Sequence, residues 1–119
     1  MTASRRILIV EDEPLIAMML EDFIETLGHS CVGTADSIQS AMPFFRKGGF
    51  DAAILDVNLR SGELCWPLAD ALLQDGKPYV LASGGQADPL PERFATAPAL
   101  CKPYTMDGVR EVLDGLFPS

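Results

Sequence analysis

Five side chains of the right chemistry follow short apolar runs at widely separated points. Glu11 and Asp12 open the acidic triplet Glu11-Asp12-Glu13 after Ile7-Val10, and Asp56 follows Ala52-Leu55. Ser83 ends Tyr79-Ser83, and Lys102 follows Ala99-Cys101. Brought together, Glu11, Asp12 and Asp56 would repel one another by about 4 kcal/mol per pair at 4 Å near a protein surface. A hard divalent cation relieves that repulsion, and a few carboxylates plus waters are what Mg²⁺ prefers, with Mn²⁺ as a substitute. A carboxylate at Asp56 can then act as a nucleophile toward phosphorus, giving an aspartyl phosphate. The Lys102 ammonium would neutralise the oxygens of the transferring group, and the Ser83 hydroxyl could donate to one of them.

Taken singly, each of these residues has an ordinary structural reading. An acidic triplet before a helix serves the helix dipole. An Asp at a strand end is a turn residue, Ser83-Gly84-Gly85 is a loop, and a lysine before proline is solvent-exposed. Their joint occurrence after four apolar runs tips the reading towards chemistry.

The elements that must position them alternate short β-branched runs with longer amphipathic ones. Strands are predicted at Arg6-Val10, Ser30-Thr34, Ala52-Leu55, Tyr79-Ser83 and, briefly, Ala99-Cys101. A helix is predicted over Pro14-Leu27, with Pro14 in its first turn, Gly28 beyond its end, and Ile16, Met19, Leu20, Phe23, Ile24 and Leu27 on one face. A second runs from Ser37 to about Arg46, interrupted or bent near Pro43, and a third from Leu64 to about Leu73 despite Pro67. Pro89, Pro91 and Pro98 leave room for only a short or irregular fourth helix, and Thr105 caps a final one. Strand–helix alternation implies right-handed crossovers. The expected fold is α/β: a five-stranded parallel sheet covered by helices on both faces. In such sheets ligands bind beyond the carboxyl ends of the strands, where the five side chains lie.

Composition narrows the function classes. The 119 residues fit one domain across 1–119, and 9 basic against 17 acidic residues give a net charge of −8. That charge repels phosphate backbones, so no nucleic-acid partner is expected. The longest apolar runs fall far short of the roughly 20 residues of a membrane span, so no membrane partner is expected either. No secretory leader is expected, Arg5-Arg6 being the basic edge of a first strand. Cys31, Cys65 and Cys101 have neither disulfide nor metal spacing and suit reduced thiols in a cytoplasmic protein. His29, after Gly28, reads as a surface turn residue; Met18 and Met19 divide between surface and core, and Trp66 covers the third helix.

From Ile7-Leu8-Ile9-Val10-Glu11-Asp12-Glu13 to the last helix the chain resembles the receiver domains of two-component response regulators, the CheY-like fold, which implies a doubly wound sheet in the flavodoxin-like order 2-1-3-4-5. The resemblance implies that Asp56 is the phosphoacceptor and that Asp12, Asp56 and the backbone carbonyl of Asn58 bind Mg²⁺. Glu11 completes the acidic pair, acting on the metal through water. Ser83 and Lys102 take the places of the family's switch hydroxyl and invariant lysine, and the Lys102-Pro103 bond is cis in that family. Asp56-Val57-Asn58-Leu59-Arg60-Ser61-Gly62, Pro67-Leu68-Ala69-Asp70-Ala71-Leu72 and Pro78-Tyr79-Val80-Leu81-Ala82-Ser83-Gly84-Gly85 resemble the "FAT GUY" receivers of alphaproteobacteria. These include single-domain regulators of the general stress response. Leu81 and Gly85 depart from the pattern of that subfamily, and Ala99 replaces the aromatic residue usual three positions before the lysine.

The function this implies is a single-domain response regulator, phosphorylated by a sensor histidine kinase or a histidine phosphotransfer protein. No DNA-binding module is expected after Phe117, so output would run through contacts with a downstream protein. Service as a phosphate shuttle or sink in a phosphorelay stays open. An aspartyl-phosphate hydrolase of the haloacid-dehalogenase type would need Asp-x-Asp at the nucleophile, where this chain has Asp56-Val57-Asn58. A phosphate-silent pseudo-receiver is disfavoured by the intact Asp12, Asp56 and Lys102. The protein is therefore expected to be a switch rather than a conventional enzyme. Gly84-Gly85 and the proline-rich stretch up to Pro98 are where the largest phosphorylation-linked changes are expected.

Overall fold

Strand β1 (Arg6–Val10) shows how the sequence builds the sheet. Successive side chains point to opposite faces. Ile7 and Ile9 enter one core layer and Leu8 and Val10 the other, all four fully buried. A strand covered on both faces reads as a continuous apolar run. The remaining strands of this computed structural model are β2 (Ser30–Ala35), β3 (Ala52–Asp56), β4 (Tyr79–Ser83) and β5 (Ala99–Cys101). They pair in parallel in the order β2-β1-β3-β4-β5, as expected from the sequence. The structure describes residues 4–59, 62–83, 91–94 and 96–117.

Helices α1 (Pro14–Thr26) and α4 (Met106–Leu116) cover one face, where Leu20, Ile24, Val109 and Leu113 pack on Ile7, Ile9, Ile54 and Val80. Helices α2 (Ile38–Lys47) and α3 (Trp66–Asp75) cover the other, with Ala41, Leu68 and Leu72 against Leu8, Val10, Ala53 and Leu55. Helix α2 opens on a reciprocal cap: the Ser40 amide donates to Ser37 Oγ at 3.0 Å, and the Ser37 amide to Ser40 Oγ at 3.1 Å. It runs on through Pro43, so the expected interruption does not end it. Helix α3 begins at Trp66 rather than Leu64. Pro67 has no amide hydrogen, so it fits the first turn, where the amides lack intrahelical partners. Leu64 instead bridges Asn58 across the loop that follows β3.

His29 corrects the sequence reading. It is buried, and its Nδ1 accepts a hydrogen bond from the Arg5 amide at 3.0 Å. Its partner is a backbone group 24 residues away, which side-chain spacing could not reveal. Met18 is exposed while Met19 packs on the α1/α4 layer, and Trp66 covers the opposite layer. Between β4 and β5 the described residues form one 3₁₀ turn, Glu92–Phe94. Phe94 anchors it, fully buried, stacked on Trp66 with centroids 5.1 Å apart and edge-on to Tyr79 at 6.2 Å. Arg93 adds a forked ion pair to Asp70 on α3, at 2.6 and 3.0 Å. Gly84 and Gly85, with residues 86–90 and 95 of the proline-rich stretch expected to respond to phosphorylation, lie outside the described residues, as do Arg60 and Ser61.

Candidate functional site: an acidic pocket spanned by a lysine

Ladder hydrogen bonds bring the expected residues to one end of the sheet. The Glu11 amide donates to the Ala35 carbonyl at 2.8 Å, holding the exit of β1 beside β2. The Val57 amide donates to the Ala82 carbonyl at 2.8 Å, and the Lys102 amide to the Ser83 carbonyl at 3.0 Å. Asp56, Ser83 and Lys102 thus leave adjacent strands at one level. The loop after Asp56 folds back on itself: the Leu59 amide donates to the Glu63 carbonyl at 2.7 Å and the Cys65 amide to the Val57 carbonyl at 3.1 Å. Lys102-Pro103 is cis.

Glu11, Asp12 and Asp56 each offer a carboxylate oxygen, all within 4.8 Å of one another. Glu11 and Asp56 are each only 3% exposed. The Lys102 ammonium spans them, with Nζ 2.9 Å from Asp56 Oδ2 and 3.3 Å from Glu11 Oε1. The other oxygens are held as well. The Asn58 amide donates to Asp56 Oδ1 at 3.2 Å, and the Glu13 amide to Glu11 Oε2 at 3.1 Å. The structure therefore brings Glu11, Asp12, Asp56 and Lys102 together, with Asn58 tied to Asp56 through its amide and Ser83 on the neighbouring strand end.

The electrostatics follow from burial and crowding. Burial pushes the Glu11 carboxyl up to about 7, with Asp56 adding to the effect against the Glu13 amide and Lys102. Burial alone would lower the Lys102 ammonium, but the hydrogen bond and attraction to Asp56, then Glu11, raise it overall. Lys102 is thus a fixed cation at neutral pH. Three carboxylates facing one ammonium leave an excess of negative charge on hard oxygen donors, and that donor set fits Mg²⁺. Cys65, fully buried, is pushed up to about 12 by burial and then Asp56, which keeps the thiol neutral. The three cysteines are free.

One participant escaped the sequence reading. Tyr104, 5% exposed, lies with its hydroxyl 3.4 Å from Glu11 Oε1. Burial, and then Glu11 and Asp56, raise its phenol well above the ordinary value, so it is a neutral donor. The available signal was an aromatic with a polar tip two residues after Lys102 and just before the cap of α4, since a buried tyrosine hydroxyl usually finds a partner. Among the described residues no helix is long and apolar enough to cross a membrane.

The chain is similar to several known proteins. A family model for the response regulator receiver domain matches residues 7–63. The solution structure of SdrG from Sphingomonas melonis Fr1 is 54% identical, covers 98% of both chains and superposes with a TM-score of 0.86. SdrG has also been solved in a BeF3-activated conformation, with a TM-score of 0.82 to this chain. The Phyllosphere-induced regulator PhyR of Methylorubrum extorquens is 34% identical over 115 residues; the match covers 90% of this chain but only 41% of PhyR. The crystal structure of anti-anti-sigma factor PhyR from Bartonella quintana is 28% identical with a TM-score of 0.78, over 94% of this chain and 46% of that one. With its sheet order, its acidic pocket and 54% identity to SdrG along 98% of both chains, the chain belongs to the response regulator receiver domains.

Proposed function

We propose that the chain is a phosphorylation switch, one receiver domain across 1–119, in which Asp56 accepts a phosphoryl group from a sensor histidine kinase or a histidine phosphotransfer protein. The observation that carries this reading is the pairing of buried Asp56 with Lys102 at 2.9 Å inside a three-carboxylate pocket. Asp12, Asp56 and the backbone carbonyl of Asn58 would hold Mg²⁺, with Glu11 acting through water. The bound ion would supply positive charge for the transferring phosphoryl oxygens.

An Asp56 oxygen forms a bond to phosphorus as the donor's phosphorus–nitrogen bond breaks, and the electron pair leaves with the imidazole nitrogen. Lys102, already within reach of Asp56, moves its charge onto the phosphoryl oxygens as they arrive. Ser83 leaves the adjacent strand end and would donate its hydroxyl to one of those oxygens. The Asn58 amide keeps the carboxylate of Asp56 oriented throughout. A hydrolase reading is less well supported, because Asp56 ends the third strand and the second residue after it is Asn58.

Output runs through protein contacts, within a stress response; the pattern shared with the stress-response receivers and the likeness to SdrG and PhyR support this. The test is incubation with acetyl phosphate and Mg²⁺ followed by intact mass. Wild type gains one phosphoryl group, whereas Asp56→Asn gains none while keeping its fold. A phosphoryl group appearing on the variant would overturn the assignment.

A further inference from the structure

The ammonium of Lys102 stands between two buried carboxylates, and its contacts with them differ by only a few tenths of an ångström. Both are acceptors, so the position of Nζ depends on how much of each remains unclaimed. Asp56 Oδ1 carries the Asn58 amide, and Oδ2 faces the ammonium. Glu11 Oε2 carries the Glu13 amide, while Oε1 receives two donors, Lys102 Nζ at 3.3 Å and the Tyr104 hydroxyl at 3.4 Å. At 3.4 Å the hydroxyl contact is long for an O–H···O bond. It shares the oxygen with the ammonium rather than closing it.

The Tyr104 ring is fixed independently of this contact. It is buried in the layer that α1 and α4 form over β1, β3, β4 and β5. Its centroid is 5.9 Å from Nζ, at the outer limit of a useful cation–π distance. The ring is therefore a wall, and the hydroxyl is the part that acts on the pocket.

Resting on the phosphoacceptor reading above, we propose that Tyr104 is a positioning residue for Lys102. Its hydroxyl takes up part of the acceptor capacity of Glu11 Oε1 and so keeps the ammonium on the Asp56 side, where the incoming phosphoryl oxygens need it. Without the hydroxyl the ammonium is drawn toward Glu11 and away from the reacting oxygen. The family's usual aromatic position three residues before the lysine is Ala99 here. Tyr104 is a different residue on the other side of Lys102, acting on the ammonium rather than on a switch loop.

The test is Tyr104→Phe, which keeps the ring and removes only the hydroxyl. Phosphorylation by acetyl phosphate at saturating Mg²⁺ should slow by about three- to ten-fold, the scale of one hydrogen bond. The Mg²⁺ concentration for half-maximal rate should stay within about two-fold, since the carboxylates are untouched. A second readout needs neither metal nor turnover: the ¹⁵N resonance of the Lys102 ammonium, identified by its loss in Lys102→Ala, should be displaced in Tyr104→Phe. An unchanged rate, an unmoved ammonium signal, or a half-maximal Mg²⁺ concentration rising in step with the lost rate would each overturn the proposal. Wild type that takes up no phosphoryl group would instead refute the phosphoacceptor reading itself.

Discussion

Lys102→Ala removes the ammonium that stands 2.9 Å from Asp56 and 3.3 Å from Glu11, leaving both carboxylates facing each other and Asp12. At an effective dielectric of 20 those two attractions are worth roughly 6 and 5 kcal/mol. Most of that offsets the cost of burying the charges, and breaking a buried pair from one side typically loses about 3–5 kcal/mol. The Lys102 side chain is 25% exposed and Glu11 can take up a proton, which brings the expected loss to about 2–4 kcal/mol at pH 8. For 119 residues the unfolding entropy is roughly 0.25 kcal/mol/K, so the melting temperature should fall by about 8–16 °C.

The pH dependence gives the sharper check. The folded-state carboxyl of Glu11, near 7, lies above its ordinary value of 4.5. Such a group destabilises the fold progressively as pH rises from 4.5, and fully above 7. Lys102 opposes that rise, so its removal extends the window upward. The stability gap between wild type and variant should therefore widen from pH 6 to pH 8 when measured by urea unfolding in EDTA, and Mg²⁺ should narrow it at pH 8. A gap that stays flat with pH, or a variant as stable as wild type at pH 8, would refute the electrostatic account of the pocket.

Asp12→Ala should raise the melting temperature in EDTA by relieving repulsion and abolish the stabilisation by Mg²⁺. That stabilisation is about 1.4 kcal/mol in wild type at ten times the dissociation constant, and a thermal shift titration reads both effects. Phe94→Ala should cost about 3–5 kcal/mol by emptying the aromatic site beneath Trp66 and Tyr79, while Asp56 is still phosphorylated; Trp66 fluorescence should change with it. Thr105→Ala should lose about 1 kcal/mol, because the Thr105 hydroxyl accepts from the Gly108 amide at 3.0 Å at the start of α4. Chemical denaturation measures that loss.

The sequence by itself determined the sheet and the side chains at its end. Uninterrupted apolar runs such as Ile7-Val10 declare strands buried on both faces, and helix-length segments between them leave few ways to connect them. Because each run ends in a chemically distinct residue, Glu11, Asp56, Ser83 and Lys102 could be placed on one edge from the order of elements alone. Helix starts were less legible where proline intervened. Pro67 belongs inside the first turn of α3, and only the loop bridge between Asn58 and Leu64 fixes where that turn begins. The roles of His29 and Tyr104 were out of reach, since each depends on a partner far along the chain: Arg5, 24 residues away, and Glu11, 93 residues away. The tertiary structure also decided which oxygen of each carboxylate faces the Lys102 ammonium. Periodicity reports which face a residue occupies, but an oxygen's partners follow from distances that exist only once the strands are side by side.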